Sequence, residues 1–302
     1  KNVLIFQKER KQQMTEEVQK AIDQVHAAHI IIMKEMERIC KKHHIMFYIE
    51  SGTLLGAIRH KAAIPWDDDA DTAMLRSEFE KFRKVVREEL APGFAYVEPK
   101  DLGNNAIFDF VPRIILLDSQ IQPEDEEQKF YGNGMNNHVS VDIFIIDDVN
   151  DCNWMHLLSR ALILVCYGLG MGHRYQLDMN DYNGLSRLVV KILSGIGKHI
   201  PSEKIIQWYD KASRMGTGKN KKKHRCFYGN FLIQDVALIY DKRWFAETVP
   251  VTLNGVELPA PKGWHRALKT IYGDYMQLPP EEKRVNTHCN PDYVKIWYQE
   301  KK

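Results

Sequence analysis

The sequence predicts an α+β fold, a mixed β-sheet core flanked by helices and followed by a helical C-terminal elaboration. Three observations lead there. Short runs with strand character, at 45–49, 70–75, 111–117 and 139–146, fall in the first half of the chain. Helix-period stripes precede and separate them. The second half is dominated by longer apolar or amphipathic segments at 154–171 and 185–199. The predicted organisation is a core over 1–150 with an N-terminal helix. Residues 151–302 then form a helical elaboration and a C-terminal substrate-binding segment packed on that core.

The first element is a helix. Val18, Ile22, Val25, His29, Ile32, Met36 and Ile39 recur at alternating steps of four and three, one stripe of a helix. Thr15 suits the N-cap, Glu16 and Glu17 suit the positive end of the dipole, and Lys41-Lys42-His43 suit its negative end. Residues 45–49 read as a strand broken by Ser51-Gly52-Thr53, and 54–60 as one or two helical turns. Pro65 marks a loop, and 70–75 reads as the second strand. Ser77-Glu78-Phe79-Glu80 has the form of a capping box opening a helix to about Leu90. Strands at 111–117 and 139–146 enclose a polar loop, 120–137. Residues 219–225 form a basic, solvated run. Asn254-Gly255 between two β-rich triplets signals a hairpin, and 264–272 a short helix.

Composition excludes several classes. The 302 residues carry 42 Lys and Arg against 40 Asp and Glu, a net charge of +2, which argues against a nucleic-acid binder. Apolar residues at 44% and charged residues at 27% supply a core and exclude global disorder. The five cysteines form no CxxC pair, so neither a disulfide scaffold nor a zinc site is expected, and a reducing compartment is. No run reaches the ~20 apolar residues of a spanning helix, and the opening segment 1–6 lacks a signal-peptide core. The expectation is a cytoplasmic globular protein.

The chemistry centres on Trp66-Asp67-Asp68-Asp69-Ala70-Asp71. Four acids in five positions repel one another unless a cation neutralises them. Apolar residues on both sides set this cluster at the edge of a core, unlike an ordinary solvated acidic turn. On a strand, Asp69 and Asp71 share one face, and two carboxylates on one face suit Mg²⁺. Asp142 is a lone charge in the apolar strand Val139 to Ile146. It is either a third ligand of that metal, a base for a hydroxyl nucleophile, or half of a structural ion pair with an Arg such as Arg113. An EF-hand reading of Asp67, Asp69, Asp71 and Glu78 fails at Thr72, where that loop needs Gly. Ser51-Gly52-Thr53, a small-residue turn opening a helix, can face a phosphate with backbone N–H groups and a hydroxyl. Together these features describe a nucleotidyltransferase-type site, where a metal neutralises a phosphoryl group in transfer.

The motifs resemble those of a known family. Residues 52–60 (GTLLGAIRH) followed by 64–71 (IPWDDDAD) look like the signature of the LicD family. Val141-Asp142-Ile143-Phe144 resembles its third motif, and 272–284 (YGDYMQLPPEEKR) its C-terminal motif, so the likeness spans about Met46 to His288. The resemblance implies a nucleotidyltransferase-like fold related to the fukutin group. It implies transfer of a phospho-alcohol, phosphocholine from CDP-choline in first place, to a sugar hydroxyl of a cell-surface glycan such as a teichoic acid or lipopolysaccharide precursor, with release of CMP. Carried over, Asp69, Asp71 and Asp142 would be catalytic and would bind Mg²⁺, with Mn²⁺ as the alternative. Ser51 stands where the family often has Gly. Ala62-Ala63, Ala70, Thr72 and Ile145 also depart from the family pattern, but no catalytic carboxylate is lost.

Substrate handles follow from chemistry. A choline head group needs aromatic walls, and the candidates are Trp66, Trp264, Tyr272 and Tyr275, with Tyr48 behind them; core packing competes for each. Arg59, Lys61, Arg76 and Arg284 are candidates for phosphate, against surface ion pairing; His60 could do the same or be structural, and Lys283 reads as solvated. Ser51, Gly52, Thr53 and Asp68 complete the expected substrate-binding set. The segment 154–171 reads as a buried core helix, with membrane contact as the sharper alternative. The amphipathic basic segment 185–199 suits an anionic membrane surface. A lipid-linked acceptor would make the protein peripheral on the inner face of the membrane. Other readings keep the site with CDP-ethanolamine, CDP-ribitol or CDP-glycerol, or make the acids a calcium-stabilised element of a binding protein.

Overall fold

The computed structural model describes residues 14–132, 134–230, 235–286 and 289–299; the segment 1–6 and His288 discussed above lie outside them. In chain order the helices are α1 (Glu16–Lys42), α2 (Ser51–Arg59), α3 (Arg76–Glu89), α4 (Glu126–Phe130), α5 (Asn153–Gly170), α6 (Gly184–Gly197), α7 (Ser202–Ser213) and α8 (Trp264–Tyr272). The strands are β1 (Tyr48–Ile49), β2 (Asp71–Leu75), β3 (Phe94–Val97), β4 (Arg113–Leu116), β5 (Ser119–Gln120), β6 (Ser140–Asp148), β7 (Arg225–Tyr228), β8 (Tyr240–Asp241), β9 (Thr248–Leu253), β10 (Val256–Pro261) and β11 (Lys295–Ile296). The α+β class expected from the sequence is observed.

The seven-stranded sheet is built around β6. Five strands run in the order β1-β2-β6-β4-β3, and β7 and β8 extend it from the far half of β6. β2 pairs with β6 in parallel; the other pairings are antiparallel. β6 is long enough to hold β4 at its start and β7 at its end along the same edge, opposite β2. Strands from beyond residue 150 therefore join the core sheet, and the helical segment α5 to α7 leaves it and returns.

Both faces of the sheet are covered, which is why β6 reads as a nearly continuous apolar run. Val141, Ile143 and Ile145 pack with Ile32, Met36 and Ile39 of α1 and Phe79 and Phe82 of α3. Phe144 and Ile146 face an aromatic layer of Tyr48, Tyr228, Tyr240 and Phe245. α1 takes its boundaries from the signals in its sequence: the Thr15 hydroxyl accepts the Val18 N–H at 3.2 Å, and Lys41 and Lys42 close the last turn. The hairpin β9–β10 turns at Asn254-Gly255, both with positive φ. Its Asn254 carboxamide oxygen accepts the Ala63 N–H at 2.9 Å, so the hairpin tip clamps the loop before the acidic cluster.

Several local expectations are corrected. The strand at 45–49 shortens to Tyr48–Ile49, because the Met46 N–H is taken by the Glu78 carboxylate at 3.0 Å. The capping box at Ser77 to Glu80 does not form: β2 runs directly into α3, and Glu80 pairs with Arg214 instead. The polar stretch 120–137 holds the one-turn helix α4 and the end of β5. α5 is only half a core helix. His156, Ser159, Ile163, Cys166 and Tyr167 point inward, while Trp154, Leu157, Leu158, Leu162, Leu164 and Val165 are exposed. Asn153–His173 is also long and apolar enough to cross a membrane by length and composition, contrary to the sequence expectation.

Candidate active site

Asp71 opens β2 and Asp142 is the third residue of β6; the parallel register sets the two opposite each other. Arg113 of β4 is the partner of Asp142 on its other side. Three charged residues, Asp71, Asp142 and Arg113, thus stand in a row across three strands. Alternation puts Asp71 and Asp142 on the face that carries Ala73 and Phe144 further along.

The start of β2 is held from two directions. The Thr53 hydroxyl accepts the Asp71 N–H at 2.8 Å, and the Glu50 N–H donates to the Asp71 carbonyl at 3.0 Å. The small-residue turn is therefore stitched to the acids through Thr53. Ser51 begins α2 with φ of 50°, the left-handed region that favours glycine, and its hydroxyl is buried with no hydrogen-bond partner. That is the physical reason a Gly would suit this position. Gly52 has a different constraint. A Cβ there would lie 2.6 Å from the Asp67 carboxylate, so only the absence of a side chain lets that acid approach the start of α2.

The acids form a concentrated negative centre. Asp67, Asp68 and Asp69 bring one carboxylate oxygen each within 4.8 Å of one another. Burial and the charges of Asp142, Asp69, Asp67 and Glu50 push the Asp71 carboxyl well above the usual carboxylate range. Asp142 is pushed up to about 7, chiefly by burial; Arg113 opposes the rise while Asp109 and Asp69 add to it. Arg113 approaches Asp142 at 3.0 Å and Asp109 at 2.5 Å. The ion-pair reading of Asp142 is thus observed, together with its placement beside Asp71. Hard oxygen donors crowded at one point, two of them with proton affinity raised by burial, are a donor set that fits a divalent ion of the Mg²⁺ type.

The remaining expected residues fall into three groups. The first gathers beside the acidic turn. Arg284 lies over the Trp66 ring at 5.6 Å, and His60 meets its edge at 6.0 Å. Arg59 donates to the Tyr275 carbonyl at 3.1 Å, and the Tyr275 hydroxyl bonds His265 at 2.6 Å, next to Trp264. Tyr272 and Arg284 both act electrostatically on Arg59. The C-terminal motif therefore folds back onto α2, and residues more than 200 positions apart share one cluster. In the second group, side chains are committed to the fold. Asp68 is buried and accepts the Cys289 N–H. Tyr48 is fully buried and donates to the Phe245 carbonyl, which removes it as a wall for a head group. The third group lies apart. Arg76 sits five residues beyond Asp71, about 16 Å along the strand. There it pairs with the buried Asp147 at 2.6 Å and with Asp210 at 3.0 Å, in an ion-pair network under α7. Lys61 is exposed, and its carbonyl accepts the Asn254 N–H.

Sequence reasoning missed Glu50 and Asp109. Glu50 is fully buried and is pushed up to about 7 by burial. Its signal was its place directly before the Ser51-Gly52-Thr53 turn. Asp109 gave none, because its role depends on Arg113 lying in register with Asp142.

An α+β sheet lines up carboxylates from adjacent strands beside a strand-turn-helix, and makes one crowded acidic centre. The comparisons give it a family. Residues 44–105 match the model of the LicD/FKTN/FKRP nucleotidyltransferase domain. Over 268 residues the chain is 24% identical to the lipopolysaccharide cholinephosphotransferase LicD of Haemophilus influenzae, covering 87% of this chain and 94% of that protein. Shorter matches reach uncharacterized proteins of Rickettsia typhi (40% over 55 residues, 18% of each chain) and Rickettsia prowazekii (45% over 63 residues, 21% of this chain and 22% of that one). The match over residues 44–105 falls on the Ser51-Gly52-Thr53 turn and the acidic cluster, the same motifs that carry the LicD resemblance in the sequence.

Proposed function

We propose that this protein is a phosphotransferase that moves phosphocholine from CDP-choline to a sugar hydroxyl of a cell-surface glycan precursor, releasing CMP, with Mg²⁺ as cofactor. One observation carries the reading: Asp71 and Asp142 stand side by side in the β2–β6 register, with Asp69 two residues before Asp71. The likeness to the Haemophilus protein along nearly its whole length supports the substrate class. The nucleotidyltransferase-like fold is proposed on the same two grounds.

Asp69, Asp71 and Asp142 would hold the cation, which supplies neutralisation of phosphoryl charge when bound. The acceptor hydroxyl oxygen attacks the phosphorus bonded to choline, the bond from that phosphorus to the CMP oxygen breaks, and CMP leaves with the bonding pair. Asp142 takes the hydroxyl proton at its carboxylate; Arg113 fixes its orientation. N–H groups at the start of α2 face the phosphates. Trp66, Trp264, Tyr272 and Tyr275 supply aromatic surface for the quaternary ammonium. Arg59 and Arg284, in the same cluster, would bind the donor's phosphates; the alternative keeps this site with a donor whose alcohol is ribitol, glycerol or ethanolamine.

The deciding experiment mixes protein, Mg²⁺, acceptor glycan and a panel of CDP-alcohols, and follows CMP release. CDP-choline should be the preferred donor, and Asp69→Ala or Asp71→Ala should abolish release in a folded protein. Undiminished release by both variants would overturn the mechanism. Preference for another CDP-alcohol would overturn the choline assignment alone.

A further inference from the structure

The exposed large hydrophobic residues concentrate on two helices, α5 and α6. Of the eighteen large hydrophobic residues exposed among the described residues, eleven lie on α5 and α6. On α6 they are Leu185, Leu188, Val189, Ile192 and Ile196, spaced as one helical stripe. On α5 the stripe begins at Trp154, 64% exposed, and continues to Val165. Monomeric proteins rarely leave so much contiguous apolar surface in water.

Charge says what covers it. Neither α5 nor α6 contains an acidic residue, whereas Arg160, Arg187 and Lys191 do lie on them. At about 100° per residue, Arg187, Lys191 and the following Lys198 fall on a second stripe bordering the apolar one. A third source of charge is set at the N-terminal end of α5. Asp151 accepts the backbone N–H groups of Lys221, Lys222 and Lys223 at 2.9 to 3.0 Å, which seats the basic run against the helix start beside Trp154. Lys219, Lys221 and Lys222 remain exposed there. An apolar face with an interfacial Trp and a cationic border is complementary to lipid tails below anionic head groups. A second copy of the chain fits less well, since a two-fold pairing of this face would set cations against cations.

We propose that the outward face of α5 and α6, with the basic run 219–223 at its edge, docks in the plane of an anionic lipid surface. α5 lies on that surface and does not cross it: only its outer side is apolar and open, and its inner side carries His156 and Ser159, both buried, the latter donating to the Ala212 carbonyl of α7 at 2.7 Å. The helical unit meets the sheet through Phe110, which stacks on Tyr209 of α7 at 3.9 Å. Phe110 is the neighbour of Asp109, the second partner of Arg113, so the docking unit and the carboxylate site share one loop. The proposal does not depend on the proposed chemistry.

The test is sedimentation of the full chain with vesicles of phosphatidylcholine alone or mixed with phosphatidylglycerol, at low and high salt. The protein should pellet with the anionic vesicles and be released by salt. Leu188→Glu with Ile192→Glu, both exposed and so compatible with an unchanged melting temperature, should weaken binding at least about tenfold. Lys221→Glu with Lys222→Glu should weaken it at least about tenfold and remove the preference for anionic lipid. The proposal is overturned if the wild type stays in the supernatant, or if both variants bind like the wild type. It is equally overturned if the chain is a dimer that Leu188→Glu with Ile192→Glu turns into a monomer without any vesicle binding.

Discussion

Asp71 and Asp142 face each other across the parallel β2–β6 pairing, and Thr53 holds the backbone of Asp71 in place from the preceding helix. Two carboxylates forced together in this way disfavour the unloaded fold, because each raises the proton affinity of its neighbour. Asp71→Asn should therefore raise the melting temperature in chelator while lowering turnover at least about 100-fold. Added Mg²⁺ should raise the melting temperature of the wild type and leave the variant unmoved. A variant that is destabilised in chelator and still responds to Mg²⁺ would contradict the assignment.

The turn before α2 yields a pair of opposite outcomes. Ser51 holds a positive φ, which costs an L-residue about 1 kcal/mol or more. Ser51→Gly should stabilise the protein by about 0.5 kcal/mol, after the extra freedom of an unfolded glycine is subtracted. Gly52→Ala should destabilise it by about 1–3 kcal/mol, as Asp67 is displaced by the new methyl group. Urea unfolding of the two variants measures both signs.

Arg113 is nearly buried and is held by two acids that are themselves only partly exposed. Arg113→Ala leaves Asp109 and Asp142 facing each other without a cation. A fully buried broken pair costs about 3–5 kcal/mol, and the residual exposure of both acids lowers the expectation to about 2–3 kcal/mol. Chemical denaturation gives the value, and adding Asp109→Asn to Arg113→Ala should recover part of it.

His156 on α5 is pushed down to about 4 by burial, with Arg160 and Arg225 adding to the effect. In the unfolded chain it titrates at 6.5. The folded protein binds the proton less well, so this stability is fully present above the unfolded value and is lost as pH falls toward the folded one. The loss should approach about 3 kcal/mol between those two values. His156→Leu should remove this contribution, so the stability of the variant relative to the wild type must rise as the pH falls from about 6.5 to about 4. A gap independent of pH would show that His156 is not kept neutral by the fold.

The local elements and the chemistry to look for are legible in the amino-acid order. α1 was legible from Thr15 to His43 because cap, stripe and terminal charges all agree over 27 residues. The hairpin was legible because Asn254-Gly255 meets the backbone demand of a two-residue turn. The acids announced themselves, since a dense run of like charges at the edge of an apolar segment needs a cation. Which groups meet depends on long-range packing. Register is set by the packing of both sheet faces, and it placed Asp142 beside Asp71 and Arg113 beside Asp142. Chain return set Arg284 over Trp66, and burial withdrew Tyr48 from the candidate head-group walls. The outward apolar face of α5 could not be told from a core helix by composition, because apolar periodicity records which side chains avoid water and not what shields them.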